Sequence, residues 1–86
     1  MEMTREEFYA KYGDVKVKFS RYYKYTFTYE GMLKNGDAIV VGYGGNSSDI
    51  YRHEVAEGHE ETLSLLYPHE GAVYRDGKEI ESFYDY

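Results

Sequence analysis

Two hydrophobic periods divide the chain. Over residues 3–13 the apolar positions Phe8, Tyr9 and Tyr12 recur at helical spacing between charged ones. Thr4 stands as an N-cap with Glu7 three residues on, the two halves of a capping box, and Met3 and Phe8 bracket the cap as a hydrophobic staple. Glu6 and Glu7 suit the positive end of the helix dipole and Lys11 its negative end. Gly13 is placed to end the helix. The aromatic stripe on this helix reads as core contact.

After Val15 the period becomes two. Val15, Val17 and Phe19 alternate with Lys16, Lys18 and Ser20; Tyr23, Tyr25, Phe27 and Tyr29 alternate with Lys24, Thr26, Thr28 and Glu30. One long bent strand or two consecutive strands fit this pattern. Gly31 within it predicts a bulge or bend. Asn35-Gly36, between Met32-Leu33 and the apolar run 38–41, predicts a hairpin with a two-residue turn at positive φ. Asp76-Gly77 repeats the device between residues 72–74 and 80–84. Between the hairpins, residues 42–48 (GYGGNSS) read as a flexible connection and residues 62–67 as a strand stopped by Pro68. Residues 49–57 fit either a strand, through alternation from Ile50 to Val55, or a short helix bounded by Ser48 and Gly58. The elements give an α+β class: one N-terminal helix packed on an antiparallel sheet of about five or six strands built from hairpins, in a single small domain spanning 1–86.

Composition changes this picture in two respects. With 86 residues and no cysteine, the domain has a small core and no disulfide or thiolate staple. Its twelve tyrosines are too many for such a core to bury, so some are expected on the surface, where a ring with a polar tip suits an interface. No stretch approaches the roughly 18 apolar residues of a membrane span. The N-terminal residues lack the basic-then-apolar pattern of a signal peptide. The expectation is a soluble cytoplasmic protein without membrane attachment; a homodimer is compatible with the sequence.

Charge is distributed unevenly. Residues 1–43 hold seven Lys/Arg and six Asp/Glu, a net +1; residues 44–86 hold three and ten, a net −7, and together they make the overall −6. The first half offers a basic aromatic strand, Lys16 to Lys24 with Arg21, Tyr22, Tyr23 and Tyr25, of the kind that binds single-stranded nucleic acid or a nucleotide by stacking and phosphate neutralisation. The second half offers carboxylates and rings to a basic partner: Glu54, Glu57, Glu60, Glu61, Glu79, Glu81 and Asp85, with Tyr51, Tyr67, Tyr84 and Tyr86. An overall negative protein repels a polyanion, which favours the second reading.

Catalytic and metal chemistry find little support. In HEVAEGHEE, residues 53–61, two histidines and four glutamates crowd together. A zinc-hydrolase helix needs its histidines four apart, so that both imidazoles face the metal. Here Glu57 stands four after His53, and His59 follows Gly58. No serine lies in a nucleophile elbow, and GYGGNSSD carries no lysine for a phosphate cradle. The sequence therefore predicts a non-catalytic protein with neither metal nor cofactor.

In size, acidity and tyrosine content the chain resembles the small acidic α+β inhibitors that bacteriophages encode, among them anti-CRISPR proteins. The resemblance implies an inhibitor of a larger nucleic-acid-binding protein, acting through an acidic, tyrosine-rich surface that mimics nucleic acid. It assigns no residues.

Overall fold

The capping box at Thr4 starts the first helix, α1 (Arg5–Tyr12). The Glu7 amide donates to Thr4 Oγ1 at 3.1 Å, and the Thr4 amide donates to the Glu7 carboxylate at 2.9 Å. Gly13 follows in an ordinary right-handed conformation, φ −60°, so it ends the helix without the left-handed cap its identity suggested. Its lack of a side chain has a steric role: a Cβ there would stand 2.5 Å from the Tyr9 carbonyl oxygen and 3.4 Å from Ser64 Cβ.

In this computed structural model, residues 1–23, 26–43 and 59–85 are described, with every side chain among them except those of 21–23, 26 and 27. The seven strands are β1 (Glu2–Met3), β2 (Lys16–Tyr23), β3 (Thr26–Met32), β4 (Ala38–Tyr43), β5 (Glu60–Thr62), β6 (Glu70–Arg75) and β7 (Lys78–Tyr84). They form one sheet in the order β1-β7-β6-β4-β3-β2-β5. Every neighbouring pair is antiparallel except β1 with β7. The class is α+β; the described residues hold one strand more than the upper end of the expectation and a second helix. The two edge strands, of two and three residues, are too short to show alternation.

Three local expectations are corrected. Residues 62–67 are not a strand: β5 ends at Thr62 and a single helical turn, α2 (Leu63–Leu66), follows. Leu63 is fully buried and Leu66, three residues on, packs against the same core. The Leu63 and Ser64 amides donate to the carbonyls of Val15 and Gly13, which ties the turn to the end of α1. Gly31 makes no bulge. It pairs regularly with Ile39, and a Cβ there would stand 2.7 Å from the Lys16 carbonyl oxygen and 3.1 Å from Val17 Cγ1. Close approach of β2 is what excludes a side chain. The Asn35-Gly36 hairpin exists, but its loop has three residues, 34–36, closed by the Leu33 amide on the Asp37 carbonyl at 2.8 Å. Gly36 has φ +93° and Asn35 is not left-handed, the pattern of a type I turn followed by a glycine bulge. Asp76-Gly77 is the two-residue turn expected, with φ +52° and +79°. Gly42 and Tyr43, read as the start of the connection, instead end β4, paired with Thr28 and Phe27; the rest of that segment, 44–48, and residues 49–57 lie outside the described residues.

Both described helices pack on one face of the sheet. Phe8 and Tyr12 from α1 and Leu63 from α2 close over Phe19, Tyr29, Val41 and Phe83. The Phe8 and Phe83 rings lie 4.7 Å apart, centroid to centroid. Gly71 lies directly beneath them.

Candidate binding face

The opposite face of the sheet has no described element over it, and the register fixes what it displays. One row of side chains crosses all seven strands: Glu2, Ser82, Ala72, Val40, Glu30, Lys18 and Glu60. Two shorter rows flank it: Tyr84, Glu70, Gly42 and Thr28 on one side; Glu79, Tyr74, Ala38 and Met32 on the other. Small residues thus occupy the middle of the β7-β6-β4 region and larger ones its margins. The result is a shallow cavity of about 390 Å³, floored by Val40, Gly42, Ala72 and Ser82. Glu2, Glu70 and Glu79 rim it with the rings of Tyr74 and Tyr84, and no described lysine or arginine lines it.

A β-bulge makes this rim possible. Val73 pairs with Glu81 but Tyr74 pairs with Glu79, leaving Ile80 as the extra residue of β7. Ile80 and Glu81 both turn to the helix-covered side, where Ile80 packs on the core and Glu81 is buried. Glu79 and Ser82 then both face the cavity. Bulges commonly re-aim a side chain in this way.

The structure divides the residues that the sequence grouped as one acidic, aromatic surface. Glu79 and Tyr84 lie on the cavity rim. Glu60 lies on the same face at the far edge, in register with Lys18. Glu61 pairs with Val17 on the other side of the sheet, its carboxylate accepting from the Thr62 amide at 2.9 Å. Tyr67 is also on the helix side, left-handed at φ +52°, its ring 4.1 Å beneath the Arg5 guanidinium and edge-on to Tyr9. Asp85 is held by Arg5 at 3.0 Å. Tyr51, Glu54, Glu57 and Tyr86 lie outside the described residues, as does His53. Sequence reasoning missed Glu2, Glu70 and Tyr74, which reach the rim only through long-range strand pairing.

Glu81 is a structural group. Its carboxylate accepts from Lys11 Nζ at 2.7 Å and from the buried Tyr12 hydroxyl. The Lys11 hydrogen bond, and after it that of Tyr12, holds the Glu81 carboxyl below the usual carboxylate range. Burial and the same carboxylate push Tyr12 upward. Asp37 is likewise held low, chiefly by Arg75, whose guanidinium grips it in two places at 3.0 and 2.8 Å. That pair fastens the β3–β4 loop to the end of β6. Burial pushes Tyr9 up to about 12.

The alternative basic strand is not continuous in charge. Lys18 stands between Glu30 and Glu60 on the face opposite the helices, with Lys16 beside Thr62. The side chains of Arg21 and Lys24 lie outside those described. A more open cleft of about 630 Å³ near the end of α1 is lined by Lys11, Lys16 and Lys34, but it also holds Asp14, and Lys11 is engaged by Glu81. Among the described residues no three His, Asp or Glu side chains come together as a metal site, and His59 hydrogen-bonds the Tyr29 hydroxyl at 2.8 Å. No described helix is long and apolar enough to cross a membrane. Comparison with protein-family models, curated proteins and solved structures finds no match.

Proposed function

We propose that this protein is a non-catalytic inhibitor that binds a larger nucleic-acid-binding protein. In this reading the face of its sheet opposite the described helices docks on the partner's basic surface and blocks it. The carboxylates of Glu2, Glu70 and Glu79 stand where phosphates would, and the rings of Tyr74 and Tyr84 where bases would stack. The observation that carries the reading is the cavity itself: a small-residue floor with an acidic and aromatic rim that no described cation neutralises. Carboxylates select a basic partner and speed its approach, while tyrosine rings supply buried contact. The blocking role rests on the likeness to small acidic phage inhibitors.

The test is competition. A basic nucleic-acid-binding protein captured by this chain is expected to release it when an oligonucleotide is added, and to bind it more weakly as salt rises. Simultaneous binding of oligonucleotide and this protein to the partner would refute the blocking role. Retention of an oligonucleotide by the purified protein alone, abolished by Lys18→Glu, would assign function to the basic strand.

A further inference from the structure

The two ends of the cavity are built alike. At one end Glu70 of β6 pairs across the hairpin with Tyr84 of β7; at the other, Tyr74 of β6 pairs with Glu79 of β7. Each end therefore sets a carboxylate beside a phenol ring, and the Ala72–Ser82 pair lies between them. Resting on the docking reading above, we infer that the cavity takes an extended segment of the partner bearing two arginines four residues apart, with a small or apolar residue midway.

Spacing selects the extended form. Glu70 and Tyr74 are four residues apart on β6, which at strand rise is about 13 Å. A partner chain lying along β6 and β7 in extended form presents residues i, i+2 and i+4 on one side over the same length. In a helix, residues i and i+4 are separated by only about 6 Å along the axis, so one pair cannot reach both ends. The middle residue must fit above Val40, Ala72 and Ser82, where the floor leaves room for a side chain but offers no charge. Arginine is selected over lysine because a guanidinium can stack on a ring while donating two parallel hydrogen bonds to a carboxylate. A lysine ammonium, a compact point charge, gains less from a flat ring beside an acid.

Fluorescence anisotropy with the full chain at physiological ionic strength tests this, using labelled peptides of equal charge. One has the core Arg-Ser-Val-Ser-Arg, a second moves one arginine to the i+3 position, and a third replaces both arginines by lysine. The first is expected to bind about tenfold more tightly than either of the others, the scale of one well-made bidentate contact. Glu70→Gln and Glu79→Gln should each weaken it by about tenfold, while Glu60→Gln, across the sheet, leaves it unchanged. Circular dichroism of each variant separates loss of binding from loss of fold. Equal affinity for all three peptides, with both rim variants weakened, would overturn the arginine spacing and leave docking on a basic surface intact. Failure of every basic peptide to bind, together with failure of rim charge reversals to affect a captured basic protein, would overturn both.

Discussion

Replacing Gly31 by alanine tests a close backbone approach in the sheet. The added Cβ would stand 2.7 Å from the Lys16 carbonyl oxygen, 3.1 Å from Val17 Cγ1 and 3.3 Å from Ile39 Cγ2. The first neighbour is backbone and cannot rotate away; Val17 and Ile39 are fully buried and cannot swing outward. Relief requires β2 to move off β3, at the typical overpacking cost of about 1–3 kcal/mol. Alanine also restricts the unfolded chain, which returns about 0.4–1 kcal/mol, so the net loss should be about 1–2 kcal/mol. For a domain of this size each kcal/mol shifts Tm by roughly 4–8 °C. Thermal melts followed by circular dichroism should therefore show Gly31→Ala melting about 4–16 °C below the parent. An unchanged or raised Tm would mean that β2 does not approach β3 here, and that the glycine marks a flexible bend instead.

At the turns the constraint is conformation, since nothing lies within 4 Å of a Cβ built on Gly36 or Gly77. Gly36→Val and Gly77→Val should each cost about 1–3 kcal/mol from backbone strain alone, measured as a fall in urea midpoint. Unchanged midpoints would contradict the assigned turns. Glu81→Ala should leave the buried Tyr12 hydroxyl without its acceptor, a loss of about 1–3 kcal/mol in equilibrium unfolding, without the specific loss of partner binding expected of a rim residue. Because the folded Glu81 carboxyl titrates below its ordinary value, its contribution is present above the unfolded pKa and disappears as pH falls through the folded one; acid titration of Glu81→Gln should lack that part of the transition. Tyr9 has the opposite sign. With its folded value raised to about 12 from 10.0, its contribution is full below the unfolded value and lost as pH rises from about 10 toward 12. Its hydroxyl is buried with no hydrogen-bond partner among the described residues, so Tyr9→Phe should raise stability at neutral pH by on the order of 1 kcal/mol and flatten the alkaline transition.

What could be read from the sequence was local. The capping box at Thr4 and Glu7 and the Asp76-Gly77 turn are specified by residues within four positions of one another, and both formed as written. Gly31 and Gly36 stand out in the sequence as special positions, yet the reason at Gly31 is a neighbouring strand outside its own segment. The four-residue stretch 63–66 is too short for helical and strand periods to be told apart, so its helical turn was settled by packing and by the carbonyls of Gly13 and Val15. Glu79 and Glu81 look equivalent by alternation, but the bulge at Ile80 sends them to opposite faces. One partial signal was available: Phe83 shares parity with Glu81, and burying the ring turns that carboxylate inward; the same parity would turn Glu79 inward too, and only the bulge exempts it. Glu2, Glu70 and Tyr74 could not be grouped with Glu79, because the pairing of β1, β6 and β7 that joins them is absent from any single segment.

The rate at which the protein associates with a captured basic nucleic-acid-binding partner, compared between two charge reversals, tests the proposed face most directly. Glu70→Lys with Glu79→Lys alters the cavity rim, and Lys16→Glu with Lys18→Glu alters the opposite side of the same face. Rim reversal should slow association and reduce its dependence on salt, since charge complementarity acts chiefly on the on-rate. Reversal of the two lysines should leave the rate equal or faster. If the rim reversal has no effect and the lysine reversal abolishes binding, the acidic cavity is not the docking site and the basic strand is.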